Sequence, residues 1–459
     1  MVHGRIAFAG ASAIWRDCWR NPAVVRHAHH GGKPGGFRGG GFSILLLILL
    51  LALPCLAADY YVAMDGEDSN PGTSGEPWAT IQHAADTARA GDTIHVMEGN
   101  YAQTARFIYP GQPGNLIRCV AEGNVLVDAG GEDWGLFVDG YEGNEGAYVV
   151  IDGFRVTGAD RGGIRLSWAH SCTIFNCECY ENGRWGIFTD YSDDSQFFMN
   201  ICHGNIAEHG IYVSNSSDRP NIWKNTCYDN GACGIQINAD PAMPGDGITT
   251  GAIIDSNLCY NNGNAGGAAI NLASVRDSSI INNLLVGNHA GGIACWGDGN
   301  GPDWGCKNNV FFNNTVVFDS GDGRWCISLK EASTNAVIMN NILIGGDDGA
   351  LEFDTDSLSG LQSDYNVMHS SSGEIVVTEE DVSYLTLSQW QGGGQDAHTF
   401  NQSPGDLFVT QTVDGYELLA GCTAVDSGAV SHGEIPSQDR YGRSRFDDPD
   451  TENTGEGPG

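Results

Sequence analysis

The sequence predicts an all-β chain, a right-handed parallel β-helix (solenoid) with a short N-terminal capping helix, and three observations predict it. First, one short phrase returns eight times between Gly163 and Asp354: apolar, variable, apolar, variable. The phrases are Ile164-Arg-Leu-Ser167, Ile187-Phe-Thr-Asp190, Ile211-Tyr-Val-Ser214, Ile235-Gln-Ile-Asn238, Ile270-Asn-Leu-Ala273, Ile293-Ala-Cys-Trp296, Ile327-Ser-Leu-Lys330 and Leu351-Glu-Phe-Asp354. Their starts lie 23, 24, 24, 35, 23, 34 and 24 residues apart, which is a repeat architecture. Second, the period-two alternation within each phrase is that of a strand with one buried face, and its inward positions are apolar except at Thr189. Third, a second column recurs between the strands: Cys179-Tyr-Glu-Asn182, Cys202-His-Gly-Asn205, Cys227-Tyr-Asp-Asn230, Cys259-Tyr-Asn-Asn262 and Leu285-Val-Gly-Asn288. Coils of this length, with Asn and Gly at the corners, cannot bury an apolar face alone and do so by stacking about 4.8 Å apart.

Taken in order, residues 42–57 form an apolar run ending in small residues and preceded by basic ones, which reads as a secretory signal cleaved near Ala57 or Ala58. The 41 residues before the run are too many for an ordinary n-region, so Met1 reads as an upstream start. Pro54 argues against lipidation of Cys55, and a retained anchor is the lesser alternative. Tyr60 opens a strand followed by a turn-rich loop to Thr73. Residues 77–89 carry apolar side chains at 78, 81, 84, 85 and 88 with Gly91 after them, an amphipathic helix laid across the open end of the solenoid. Residues 91–101 read as the first coil. The expected organisation is a leader over 1–57, a cap with first coils over 58–135, the coils over 136–356, and an irregular segment over 357–459.

Charge narrows the partners. The chain of 459 residues has a net charge of -35. Residues 1–57 hold six basic residues and one acid, so the remainder carries 16 basic against 56 acidic, a net of -40. Such a chain repels nucleic acid, and an acidic ligand needs a bridging cation. Beyond Cys18 and Cys55, twelve cysteines remain in a chain read as exported. Those at 179, 202, 227 and 259 share a column that Leu285 continues, so they read as small apolar fillers. Cys172 with Cys177, and Cys295 with Cys306 or Cys326, are the disulfide candidates. No cysteine or histidine spacing supports a zinc site.

The opening carries a specific order: Tyr-Val, Gly-x-Asp-x-Asn-x-Gly-Thr, Pro-Trp-x-Thr-Ile, Ala-Gly-Asp-Thr-Ile and Gly-x-Tyr over residues 61–101. It resembles exported bacterial β-helix repeat proteins of the pectate-lyase and chondroitinase type, and the likeness extends over the coils and the segment after them. After Asp354 the spacing decays, and residues 363–367, 418–428 and 439–445 resemble the closing section of such proteins, where the chain runs back irregularly over the helix. Similar proteins finish with one more acidic-aromatic strand, so the sequence is expected to continue past Gly459.

The outward strand positions form two ladders: Arg165, Phe188, Tyr212, Gln236, Asn271, Ala294, Ser328 and Glu352, and beside them Ser167, Asp190, Ser214, Asn238, Ala273, Trp296, Lys330 and Asp354. Polar and aromatic residues in line suit an extended polysaccharide, which offers hydroxyls to bond and faces to stack; an ordinary solvated face is the plainer reading. The two long steps insert residues 240–250 and 297–306 after the same strand, and insertions on one side of a solenoid build walls. The preferred groove therefore lies over Tyr212, Asn238, Asn271 and Trp296.

On a uronate polymer, elimination requires the carboxylate to be neutralised and the adjacent proton removed. Calcium on Asp190, Asp193, Asp194, Asp218 and Asp240 can meet the first requirement, although capping turns is an equal reading for them. For the base, Lys330 is one candidate, with an ion pair to Asp354 as its plainer role, and His209, Tyr212 and Arg165 are the others. The β-helical pectate lyases similar in their opening carry an Asp-Asp-Gly-Phe-Asp calcium signature and a lysine on a neighbouring coil. The matching corners here are Arg184-Trp-Gly-Ile-Phe188, Glu208-His-Gly-Ile-Tyr212 and Ala232-Cys-Gly-Ile-Gln236, so those roles do not carry over. Thr189-Asp190, Asp193-Asp194 and His209-Gly210 weakly resemble a polygalacturonase set, but both acidic pieces share one coil. The sequence therefore points to a secreted, monomeric protein active on acidic polysaccharide, with a lyase preferred over a glycan-binding adhesin or a glycoside hydrolase. It holds no nucleotide-cofactor motif, since its Gly-rich stretches do not open a helix.

Overall fold

The computed structural model describes residues 57–140, 147–318, 323–346, 348–378, 383–445, 448–451 and 453–456. The signal at 42–57, the upstream start and Cys55 thus lie, Ala57 apart, outside the described residues. Isoleucine and valine at alternate positions drive the chain into short strands, and burying each such side chain against its neighbours contributes roughly 1.5–3 kcal/mol. The result is a right-handed parallel β-helix.

Among the described residues one sheet holds twelve strands. Eleven run parallel from Ala105–Phe107 to Val376–Thr378, and the antiparallel Ser383–Leu385 closes the end. All eight phrases pair in the expected register, Ile164 to Ile187 to Ile211 to Ile235 to Ile270 to Ile293 to Ile327 to Leu351. The ladder also extends upstream through Leu136 and Ala105 and downstream through Val376. A second sheet of 21 strands carries the remaining sides of each coil, and there Cys179, Cys202, Cys227, Cys259 and Leu285 pair in one column.

The asparagines explain why the coils hold their spacing. Asn182, Asn205, Asn230, Asn262 and Asn288 form a buried ladder in which each side-chain amide donates to the next carbonyl at 2.8–3.1 Å. A second ladder, not legible as a column in the sequence, runs from Asn200 through Asn225, Asn257, Asn283, Asn314 and Asn341 to Asn366. Each interior member also donates to a strand carbonyl and accepts from a backbone N–H, so none of these ladder amides is stranded.

The capping helix is shorter than the sequence spacing predicts, Ile81–Thr87. Trp78 still belongs to extended backbone, bridged to Val62, and Thr80 caps the helix by accepting from the His83 N–H at 3.1 Å. Asp68 fixes that entry by accepting from the Ala79 and Thr80 N–H groups. At the other end the chain runs back over the solenoid, where Asn340 and Ala429 exchange two hydrogen bonds and Arg445 donates to Asn282.

The disulfide candidates are corrected: the cysteines at 172, 177, 295, 306 and 326 are all buried free thiols. Cys172 and Cys177 stand at opposite ends of the strand Thr173–Phe175, with Cys172 accepting from the Val149 N–H and Cys177 donating to the Phe175 carbonyl. Burial pushes both thiols up to about 12, which keeps them protonated and poor at exchange.

Candidate functional site

The first five coils of the twelve-stranded sheet carry a cluster of rings: Trp134, Trp185 and Phe188, with Phe137 and Tyr212 packed against them. Trp134 and Trp185 stack at 5.7 Å, and Tyr212 meets Phe188 edge-on at 5.3 Å. Four arginines lie on these rings. Arg165 is 4.9 Å from the Trp134 ring and 4.8 Å from Phe137; Arg161 is 5.0 Å from Trp134; Arg184 is 4.3 Å from Trp185; Arg106 is 5.5 Å from Phe137. Guanidinium groups are favoured on aromatic faces, and here the faces hold them side by side.

Local sequence builds this floor. The strands Trp134–Asp139 and Trp185–Asp190 repeat one pattern, Trp-Gly-apolar-Phe-apolar or Thr-Asp, so their rings and carboxylates stack in register. Gly186 is required because a Cβ there would sit 2.6 Å from the Gly210 carbonyl and 3.0 Å from the Asn205 amide; the coil turns directly against the asparagine ladder. Three of the arginines have carboxylate partners: Arg165 donates to Asp190 at 2.6 Å, Arg106 pairs with Asp139, and Arg184 donates to Glu208 at 2.8 Å. Trp185 also donates to Glu208 at 2.7 Å. Arg106, Arg161, Arg184, Trp134, Phe137 and Trp185 were missed as site residues. The signal was present: Trp134-Gly-Leu-Phe-Val-Asp139 is the same phrase one coil before the series starts.

The expected bases are placed as follows. Arg165, His209 and Tyr212 fall in this region, and His209 lies edge-on to Tyr212 at 5.0 Å. Nδ1 of His209 accepts from the Cys233 N–H at 3.1 Å, which leaves the ring proton on Nε2, 3.7 Å from Glu208. Burial pulls His209 down to about 4, with Glu208 opposing and Arg184 assisting, so the ring is neutral but its one lone pair is already engaged. Burial also pushes the Tyr212 phenol up, with Glu208, Asp298 and Asp240 adding to it and a Ser214 hydrogen bond opposing.

Lys330 is about four coils away, roughly 19 Å from the Tyr212 coil. Its expected pair with Asp354 is corrected. The strand ends at Leu329, and Lys330 turns back to the fully buried Glu352 at 2.8 Å, while Asp354 accepts from the Glu331 and Ser357 N–H groups.

The expected calcium ligands are corrected as well. Asp190 is held by Arg165, and Asp240 closes a turn to the Ala242 N–H. Asp193, Asp194 and Asp218 converge on the guanidinium of Arg219, at 3.4, 2.6 and 3.5 Å. Among the described residues no group of three or more carboxylate, imidazole or thiolate side chains is arranged to hold a metal ion. The residues present do not fit calcium; an arginine already occupies the centre of the acidic set.

A Cβ on Gly247 would lie 2.6 Å from the Trp304 ring, so the two inserted loops touch, and Asn238 donates to Asp298 at 3.1 Å. Asn271 is different from expectation: it is buried and donates to Gln236 at 2.8 Å, which makes it a ladder residue of the sheet and removes it from the groove.

Comparison with known proteins agrees with this architecture. A family model described as Pel9A-like, right handed beta helix region, matches residues 60–209, and one for the periplasmic copper-binding protein NosD matches residues 135–290. Pectate lyase PEL9 of Emericella nidulans is 28% identical over 173 residues, 35% of this chain and 37% of that protein. The uncharacterized protein YwoF of Bacillus subtilis is 39% identical over 62 residues, 13% of each chain. The chain thus spans about a third or less of the length of these curated relatives. Among solved structures, pectate lyase Pel9A superposes with a TM-score of 0.55 at 16% identity, covering 85% of this chain and 97% of that one. The A-module of the mannuronan C-5 epimerase AlgE6 of Azotobacter vinelandii gives 0.51 at 14% identity, covering 75% and 89%. At these identities the two structures share the fold.

Proposed function

We propose that this chain, which shares the right-handed parallel β-helix fold of pectate lyase Pel9A and matches a Pel9A-like family model over residues 60–209, acts outside the cytoplasm on an acidic polysaccharide laid along the twelve-stranded sheet, cleaving it by β-elimination. One observation carries this: a chain with a net charge of -35 gathers four arginines on a single aromatic floor. Arg161 has no carboxylate partner among the described residues, and Arg165 and Arg184 are partly exposed, so uronate carboxylates meet fixed guanidinium donors there. Arginine then supplies the neutralisation that the sequence assigned to calcium. Tyr212 stands next to this floor, and elimination there needs it as both base and acid: its phenolate takes the proton beside the uronate carboxylate, and the phenol so formed returns it to the departing oxygen.

A second reading, binding without cleavage, is favoured by one observation: Lys330 and Arg165 are tied into ion pairs, burial pushes the Tyr212 phenol up, and the lone pair of His209 is engaged. The deciding experiment incubates the protein with acidic polysaccharides, with calcium and with chelator, following ultraviolet absorbance of unsaturated ends alongside reducing ends. A rise in both that survives chelator and is lost in Tyr212→Phe supports elimination. Retention on a glycan column with no product supports the binding reading, and reducing ends without absorbance point to hydrolysis.

A further inference from the structure

The corner beyond the arginine floor has a different chemistry. Along it, Asp190 Oδ1, Tyr191 Oη, Asn238 Oδ1 and Trp296 Nε1 are buried polar atoms with no hydrogen-bond partner. Asp190, Asn238 and Trp296 belong to one outward column, Asn238 two coils beyond Asp190 and Trp296 two coils beyond Asn238, and Tyr191 follows Asp190 directly. Each such atom costs about 1–3 kcal/mol when left unmade, and successive members of the column lie about 10 Å apart, so the run marks a missing partner that is itself extended. The set offers acceptors at Asp190 and Asn238, a donor at Trp296 and both at Tyr191, which is the complement of a sugar's hydroxyls.

The surroundings set the charge of that partner. The corner is bounded by the carboxylates of Asp190, Asp240 and Asp298. With burial, Asp190 and Asp240 push the Tyr191 phenol up, as Asp298 and Asp240 push up Tyr212. A uronate here would face like charge, whereas an uncharged sugar would not. Aromatic surface is supplied by Tyr191, stacked on Trp168 at 4.3 Å, and by Trp296. The inserted loops cover the corner, held to the sheet by the Asn238 to Asp298 hydrogen bond at 3.1 Å. That bond is exposed, so it is weak enough to open and admit a ligand.

We propose that the corner running from Asp190 to Trp296 beside residues 240–248 and 297–305 is a row of subsites for neutral, hydroxyl-rich sugar units, so that the polymer this protein takes carries uncharged sugars beside its uronates. The proposal rests on the acidic-polysaccharide reading above and adds the second sugar class to it. The arginine floor selects carboxylates and the corner rejects them, so the two together read a mixed chain in a fixed direction.

The test is titration calorimetry of the full mature chain with two probes: a hexasaccharide alternating uronate and neutral hexose, and an all-uronate hexasaccharide. The mixed probe should bind about tenfold more tightly, the worth of one or two good hydrogen bonds. Asn238→Ala and Trp296→Phe should each bring the ratio of the two affinities to within about twofold, and Asp298→Ala, which removes one of the carboxylates that bound the corner, should narrow the ratio by strengthening binding of the all-uronate probe. Equal affinities in the unmodified protein, or a ratio that survives both Asn238→Ala and Trp296→Phe, would overturn the subsites. Absorbance of unsaturated ends on the same probes separates the two ideas: a preference without cleavage removes elimination only, and cleavage without preference removes the subsites only.

Discussion

Two charged couples stand along the same sheet, Arg165 with Asp190 and Lys330 with Glu352, and they differ in what surrounds them. Glu352 is fully buried, is bonded by Ser328 as well as by Lys330, and has Trp325 near the ammonium at 5.1 Å. Arg165 lies on open-edged rings beside three other arginines, and one oxygen of its carboxylate partner has no partner. The first couple is closed and holds the fold; the second is incomplete, its guanidinium partly exposed to a ligand anion and its carboxylate left with an oxygen that a hydroxyl can reach. Ladder position alone does not make a site, and the chemistry left unsatisfied around it does.

The largest way to sharpen this contrast is Lys330→Met. It leaves Glu352 buried without its cation, which destabilises by roughly 3–5 kcal/mol. Denaturant unfolding should show that loss while calorimetric affinity for polyuronate stays unchanged; a loss of affinity at full stability would return Lys330 to the site.

Next comes His209. Its folded value of about 4 lies below the ordinary 6.5, so the folded chain binds fewer protons than the unfolded one. Its contribution is complete above the unfolded value and is lost as pH falls from about 6.5 toward 4, by ~3 kcal/mol. Thermal unfolding across that window should show the slope, and His209→Gln should flatten it; a slope unchanged by the substitution would assign it elsewhere.

Arg165→Gln is expected to lower polyuronate affinity about tenfold to a hundredfold, since hydrogen bonds to charged groups are worth roughly 1.5–3 kcal/mol. The variant also strands Asp190, so the paired change Arg165→Gln with Asp190→Asn is the control: it should recover stability without recovering affinity. Recovery of both would make the couple structural, like its counterpart at Lys330.

The coil register was readable because the inward residues are apolar at a fixed spacing, and a one-residue slip would turn every one of them to solvent. The insertions were readable for the same reason, as lengths in excess of a known step. The arginine floor was not, although Trp134-Gly-Leu-Phe-Val-Asp139 repeats a recognised phrase, because its rings are contributed by outward positions that periodicity leaves unconstrained. Arg219 shows the deeper limit. It stands next to Asp218 in the sequence, yet its strongest partner, Asp194, is one coil earlier, and only the stacked corners reveal that the acidic set is already neutralised. Lys330 failed for a related reason: the strand ends one residue before it, so its side chain leaves the ladder that the alternation assigned to it.

The smallest effect concerns Arg106, whose side chain is 60% exposed at the rim of the floor. Exposed ion pairs are worth about 0–1 kcal/mol and are screened by salt, so Arg106→Gln should reduce polyuronate affinity less than about fivefold near physiological ionic strength. The informative measurement is the salt dependence. A rim charge acts mainly on the association rate, so the variant should bind more slowly at low salt and converge with the unmodified protein as salt rises, whereas the deficit of Arg165→Gln should persist. If both deficits vanish together at high salt, the floor is a diffuse field; if only that of Arg106 vanishes, Arg165 makes a desolvated contact and the difference between rim and centre is real.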